Sequence, residues 1–308
     1  MRKVFGIGET VLDIVIRNGN AARAVPGGST FNSMISLGRC GVPSGFLSEV
    51  GSDRAGKLVL DFMTDNGVDP SHVNRLETKT PLSLAFLDEN NDAQYTFYRD
   101  PVVARPGLRY PAIAPDDLVL FGSFYALNPA VRTQVKDFLD YARANGAILY
   151  YDVNFRPSHV KDLGRIGAAL WENLDRADIV RGSHEDFQTL FGLDSMDAVF
   201  DGPLAGHCDR LIYTCGARPL QVRDRKGVSR TYPVTPIPTV STIGAGDNFN
   251  AGFLFGLIRS GLRRADLVGG LTPEQWDFLV DCAQRFSADC CQSEENYVTP
   301  AFAERMKG

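Results

Sequence analysis

The chain has 308 residues, 44% of them hydrophobic and 22% charged, enough for one large α/β core and short for two full domains. Its net charge of −5 excludes a general polyanion binder, which needs a concentrated positive field, so no nucleic-acid partner is expected. Six scattered cysteines without paired short spacings exclude a structural zinc site; with no signal-peptide pattern and no run of membrane-spanning length, a cytoplasmic protein with reduced thiols is expected.

In chain order, Val4–Ile7 reads as a strand. Val11–Ile16 and Ala22–Val25 flank Asn18-Gly19, a strong hairpin signal. Thr30–Cys40 reads as a helix ended by Gly41, Gly45–Val50 as a strand, and Ala55 to Asn66 as a helix stopped by Gly67. Leu82–Asp88 and Ala93–Arg99 flank Glu89-Asn90-Asn91-Asp92 and predict a second hairpin. Leu118–Phe121, Ala147–Asp152, Ile179–Arg181 and Leu211–Thr214 are short apolar strands with helical stretches between them. Gly244–Ser260 and Thr272–Cys291, the latter with Pro273 in its first turn, close the chain as helices. Such alternation predicts a mostly parallel sheet covered by helices on both faces. The two hairpins, at about residues 11–26 and 82–100, predict a small β-sheet standing off the main one as a lid would. No Pro/Ser linker divides residues 1–308, so a single α/β domain is expected.

Three glycine-rich segments invite a phosphate. Gly6-Ile7-Gly8-Glu9 lacks the third glycine of a dinucleotide fingerprint, which disfavours a NAD-dependent oxidoreductase. Gly51-Ser52-Asp53-Arg54-Ala55-Gly56-Lys57-Leu58 fits GxxxxGK, but Leu58 replaces the Ser/Thr that would hold Mg²⁺ and Asp53 would put a carboxylate inside the cradle. The expectation there is a strand-to-helix turn with Lys57 in solvent. The third segment, Ser241 to Phe249, has small residues at Gly244, Ala245 and Gly246 where a helix begins, leaving backbone N–H groups free to meet an anion. Asp247 then reads equally as a general base beside bound phosphates or as a carboxylate that stabilises the helix start.

A second constellation shifts that balance. Pro26-Gly27-Gly28-Ser29-Thr30-Phe31-Asn32 is a glycine turn leading into a helix, and Asp13 sits in the hairpin upstream. An acid and an amide near one such turn can grip vicinal sugar hydroxyls. Arg99 ends the second hairpin, where it could reach a sugar or remain a surface arginine. Gly122 and Ser123 close a strand at the end where ligands of open α/β sheets sit, while Phe124 and Tyr125 read as well as packing.

Taken in this order, the segments resemble the ribokinase-like (PfkB) carbohydrate kinase family. Gly27-Gly28 followed by Asn32, Gly38 and Gly41 is similar to its N-terminal signature, and Thr242 with Gly244-Ala245-Gly246-Asp247 to its C-terminal one. Asp152-Val153-Asn154-Phe155-Arg156 is similar to its D-x-N-x-R strand end, and Gly51, Asp53 and Gly56 to its early turn. The resemblance implies a doubly wound sheet with a small β lid. It makes Asp247 the base, the amides of residues 244–246 an anion hole, and Arg156 a neighbour of the transferred phosphoryl. Asp13, Gly27, Gly28, Asn32 and Asn154 would hold the sugar, and Thr214 and Gly216 would line the ATP site. Ser183-His184-Glu185-Asp186 aligns with an N-x-x-E motif that helps to order Mg²⁺ and phosphate, with Asp186 acting through water or Glu185 substituting. Ser241 stands where the family usually has Asp, which puts monovalent-cation activation in doubt, and Pro219 replaces a usual glycine.

The expected activity is therefore ATP-dependent phosphorylation of a sugar hydroxyl. Fructose ranks first, from the Gly8-Glu9-Thr10 start and the Phe97-Tyr98-Arg99 segment, which are similar to fructokinase-like members. Ribose, 2-keto-3-deoxygluconate or a nucleoside are the alternatives. A catalytically silent sugar or nucleotide sensor is the reading from another class, and the resemblance leaves room for a homodimer.

Overall fold

The computed structural model describes residues 1–87, 93–102 and 105–308. The turn expected at residues 89–92 lies outside them. Strands are β1 (Val4–Ile7), β2 (Val11–Arg17), β3 (Asn20–Gly27), β4 (Ser44–Gly51), β5 (Val68–Asp69), β6 (Val73–Leu76), β7 (Leu82–Leu87), β8 (Ala93–Tyr98), β9 (Leu118–Gly122), β10 (Ile148–Asp152), β11 (Ile179–Ser183), β12 (Arg210–Cys215), β13 (Arg218–Asp224) and β14 (Ser229–Tyr232). Helices are α1 (Ser29–Arg39), α2 (Arg54–Asp65), α3 (Arg132–Ala144), α4 (Leu163–Arg176), α5 (His184–Phe191), α6 (Met196–Asp201), α7 (Ala245–Arg259), α8 (Arg264–Gly269), α9 (Pro273–Cys291) and α10 (Pro300–Lys307).

The large sheet has the order β14-β13-β12-β11-β10-β9-β1-β4-β5, with β6 also on β4. From β12 to β5 every pairing is parallel, whereas β13 and β14 run antiparallel at one edge. Its central strands read as continuous apolar runs because both faces are covered. The pleat divides them: Leu118, Leu120, Ile148 and Tyr150 pack with Phe31 of α1, Phe253 of α7 and Trp276 of α9. Val119, Phe121, Leu149 and Tyr151 pack on the opposite face with Phe138 of α3, Leu170 of α4 and Phe187 of α5.

Strand order reverses between β1 and β9, since β4 continues to one side and β10 to the other. Carboxyl ends of parallel strands at such a switch point leave a crevice for a ligand. The second sheet, β3-β2-β7-β8, is separate. Its first hairpin turns at Asn18 (φ 51°) and Gly19 (φ 76°), the two positive angles an Asn-Gly turn supplies.

Buried α7 packs closely on α9. A Cβ on Gly252 would fall 2.4 Å from the Cys282 carbonyl oxygen, so the helices touch backbone to backbone there. Thr272 caps α9 by accepting from the Gln275 amide, and Gln275 Oε1 in turn accepts from Thr272 N at 2.8 Å. The β13–β14 hairpin was not expected from the sequence. Arg218-Pro219 opens β13, and of its buried residues Leu220, Val222 and Asp224 only the first two are apolar, so its alternation carries little apolar signal. Among the described residues, no helix is long and apolar enough to cross a membrane.

Candidate active site

The start of α7 is pinned by groups distant in sequence. Gly244 takes φ 81°, and a Cβ on it would lie 2.7 Å from the Asn296 carbonyl oxygen. Asn248 Nδ2 donates to the carbonyls of Gly244 (2.8 Å) and Asn296 (2.9 Å), and its Oδ1 accepts from Ser36 Oγ at 2.6 Å. Of the expected anion-hole amides, Ala245 N donates to the Thr242 carbonyl at 3.2 Å. The amides of Gly246 and Asp247 belong to the first-turn N–H groups that an α-helix leaves without an internal acceptor. Ser241 Oγ accepts from the Ile243 amide at 3.2 Å, so this hydroxyl serves its own turn.

Asp247 lies in that turn, partly covered. Asn32 Nδ2 donates to its Oδ2 at 2.8 Å, and Ser33 Oγ donates to its carbonyl at 2.7 Å, tying α7 to α1. Burial pushes its carboxyl up to about 7, and the nearby Asp152 adds to the rise. The bond from Asn32 and the charges of Arg156 and Arg181 oppose it. A carboxylate with such a proton affinity can take a proton from a hydroxyl near neutral pH.

Gly27 and Gly28 bring the other polar groups alongside. A Cβ on Gly27 would come within 2.6 Å of Asp13 Oδ2 and 4.0 Å of Asn32 Oδ1, so any larger residue would fill the space between acid and amide. Gly28 has φ 132°, and a Cβ there would collide with the Glu9 carbonyl at 2.3 Å. Asp13 accepts from Ser83 Oγ of the second sheet, and its carboxyl is raised to about 6, mainly by burial with Glu9 adding. Asn32 Oδ1 is buried and has no hydrogen-bond donor among the described residues. An acceptor in that state awaits an O–H or N–H from a ligand. A cleft of about 110 Å³ opens beside Asp13, between Arg23 and Val25 of β3 and the chain at Val240 and Ser241.

The strand ends supply the remaining wall. Ser123 (φ 54°) after β9 and Asn154 (φ 34°) after β10 are both left-handed, a cost of the order of 1 kcal/mol each that clusters at functional sites. Phe124 stacks on His159 with ring centres 3.9 Å apart and Tyr125 is buried, so both aromatics pack. Arg99 Nη2 pairs with Glu9 Oε2 at 2.9 Å, bridging the second sheet to the end of β1. Arg156 is exposed, within electrostatic range of Asp247.

The nucleotide-side expectations separate. Asp186 is buried and caps α5: its Oδ2 accepts from Ser183 N (2.7 Å) and Ser183 Oγ (2.8 Å), its Oδ1 from Phe155 N (2.7 Å). Both oxygens already accept bonds, while Glu185 is exposed. Among the described residues no three His, Cys, Asp or Glu side chains gather as a metal site. Thr214 is buried, and its Oγ1 accepts from Arg181 Nη2 at 2.8 Å. Gly216 stays in the turn after β12 at φ 62°.

Around Lys57 the cradle is filled by protein. Asp53 Oδ1 caps Gly56 N at 2.8 Å and accepts from Thr80 Oγ1 at 2.7 Å, and Lys57 Nζ pairs in solvent with Asp61. A Cβ on Gly56 would strike the Gly51 carbonyl at 2.1 Å, so this glycine serves close packing.

Sequence reasoning gave Arg181 no role, although an arginine in the apolar run Ile179-Val180-Arg181 was itself a sign of a buried charge. Its Nη1 meets Asp152 Oδ1 at 2.9 Å, and Asp152 Oδ2 accepts from Asn250 of α7 at 2.9 Å.

The pfkB family carbohydrate kinase pattern matches residues 1–274. The chain is 28% identical over 258 residues to 5-dehydro-2-deoxygluconokinase of Geobacillus kaustophilus, covering 75% of this chain and 72% of that protein. It is 29% identical over 260 residues to fructokinase of Rhizobium leguminosarum bv. trifolii, covering 81% and 78%. Its fold matches a fructokinase from Vibrio cholerae O395, crystallised with fructose, ADP and potassium ion, at a TM-score of 0.85 and 20% identity over 100% of this chain and 99% of that one. With the match extending from the first strand into α9, the chain belongs to the pfkB family of carbohydrate kinases.

Proposed function

We propose that the protein transfers the γ-phosphoryl group of ATP to a hydroxyl of a small sugar, with Asp247 as general base. The observation that carries this is a half-buried carboxylate of near-neutral pKa in the first turn of a helix, hydrogen-bonded to an amide whose own oxygen lacks a donor among the described residues. Asp13 and Asn32 hold vicinal hydroxyls, with Gly27 and Gly28 leaving room for the ring. Asp247 takes the proton as the sugar oxygen forms its bond to phosphorus and the bond to ADP breaks. The first-turn amides and Arg156 meet the charge on the equatorial oxygens. Ser123, Asn154 and Arg99 complete the sugar side; Ser183, Thr214 and Gly216 face the nucleotide.

Magnesium suits this site as an ion that arrives on the nucleotide. Mg²⁺ commonly keeps several waters and binds substrate phosphates with one or two carboxylates. Asp186, whose oxygens already accept protein bonds, fits contact through water and Glu185 is the exposed neighbour. When bound, the ion neutralises phosphate charge.

The chain forms one ribokinase-like unit, with 11–26, 82–87 and 93–100 closing as a lid that keeps water from the phosphoryl group. Fructose is the first substrate to test, given the fructokinase relative. A keto sugar acid is the second, because Arg23 lines the cleft beyond Asp13, where it suits a carboxylate, and another relative is a 5-dehydro-2-deoxygluconokinase. On the outer lid face Ile14 and Ile16 lie beside Leu84 and Phe86, an apolar strip on which a second copy could pair. All six cysteines are free, as the reducing cytoplasm would keep them. Steady-state ADP release across these sugars tests the reading: saturable sugar dependence supports it, and ATP turnover indifferent to sugar overturns it.

A further inference from the structure

Arg181 is a charge the reaction scheme above does not use. It is only 7% exposed and held on three adjacent parallel strands: its own β11, Asp152 of β10 at 2.9 Å and Thr214 of β12 at 2.8 Å. Its guanidinium lies directly against α7, since a Cβ on Gly246 would sit 3.0 Å from Nη2 and 3.1 Å from Nη1. It lies 5.9 Å from the centre of the Phe249 ring, one turn further on. Asp152 makes its other bond to Asn250 of the same helix. A buried Arg–Asp pair is rarely a net gain in stability over apolar packing, so its presence under a helix start calls for another use.

We propose that Arg181 is the positioning residue of phosphoryl transfer: its planar fork fixes the first turn of α7 against β10–β12 and sets the anion-hole amides relative to the nucleotide strand. This rests on the kinase reading of Asp247. Guanidinium geometry is needed because a lysine ammonium cannot meet Asp152 and Thr214 while lying flat on Gly246. A side chain at Gly246 would press on the fork, which would have to give by a few tenths of an ångström.

The test is steady-state kinetics with Mg-ATP on Arg181→Gln, Arg181→Lys, Gly246→Ala and the double variant Gly246→Ala/Arg181→Gln, each checked for folding by circular dichroism. Arg181→Gln is expected to lower kcat by about tenfold to a hundredfold, the scale of an ångström-level misplacement, with sugar KM within about twofold. Arg181→Lys recovers part of that loss. The double variant is no worse than the more impaired single one, because both changes break one contact. Should Arg181→Gln not fold, Asp152→Asn/Arg181→Met removes both buried charges and carries the same expected loss of kcat. A folded Arg181→Gln or double-charge variant with kcat within twofold of the parent overturns the proposal while leaving the kinase reading intact. Absence of sugar-dependent turnover in the parent protein overturns that reading first.

Discussion

Replacing Asp247 by asparagine is expected to stabilise the protein in mildly alkaline solution while removing its activity. The amide keeps the contact with Asn32 through its own carbonyl oxygen, so the change acts almost entirely on charge. Raising this carboxyl from 3.8 to about 7 means that its ionised form is disfavoured in the fold by about 4 kcal/mol. The folded pKa lies above the unfolded one, so the contribution to stability is complete below 3.8 and is lost as pH rises through about 7. At pH 8 asparagine avoids nearly the whole of that penalty, and at pH 5 less than half of it. The stability difference between variant and parent should therefore grow by about 2 to 3 kcal/mol from pH 5 to pH 8, a gain in Tm on the order of 5 °C at the upper end. Paired urea and thermal melts at the two pH values measure it. A variant no more stable than its parent at pH 8, or a difference equal at both pH values, would refute the burial argument.

Asp13→Asn should raise the sugar KM by about tenfold or more and leave the ATP KM within about twofold, since one charged hydrogen-bond acceptor is lost from the sugar side alone. Because Asp13 itself titrates at about 6, the sugar KM of the parent protein should rise as pH falls below that value, which a pH series of initial rates will show. Lys57→Ala should leave kcat and both KM values within about twofold, as expected of a lysine paired with Asp61 in solvent. Asp53→Ala should instead lower stability by about 1 to 2 kcal/mol in urea melts, through loss of the cap on Gly56 and the bonds from Thr80. An intact ATP KM in both would agree with a structural turn; a loss of ATP affinity would restore the phosphate-loop reading.

Much of this architecture was legible because local signals agreed with the fold. Val4–Ile7 is a strand over the expected residues, the Asn18-Gly19 turn pairs β2 with β3, and Pro273 begins α9. The helix expected from Ala55 begins at Arg54 because Asp53 caps it, a role that also explains why a carboxylate sits inside an apparent phosphate cradle. The β13–β14 edge escaped because Pro219 and alternating Arg, Gln and Arg disguise a strand that buries only one face. Within the candidate site, Asp13 lies in β2, whereas Asn32 and Asp247, the proposed sugar ligand and base, follow glycine-rich turns whose sequences announce them. Arg181 does not, since its meaning depends on registers that place Asp152, Arg181 and Thr214 on neighbouring strands. No window of sequence contains that contact. For the same reason the unpaired oxygen of Asn32 becomes visible only once α1 and α7 are side by side.

The central claim is that Asp247 is the base of a sugar kinase, and ADP release with Mg-ATP tests it most directly. The panel is fructose, 5-dehydro-2-deoxygluconate, 2-keto-3-deoxygluconate, ribose, glucose and adenosine, with the parent protein beside Asp247→Ala. The account predicts saturable turnover with at least one of these acceptors and a fall in kcat of about a hundredfold or more in the variant, with its sugar affinity by calorimetry largely kept. Equal turnover in the two proteins, or sugar and ATP binding without turnover in either, would contradict it and leave Asp247 as a helix-start residue.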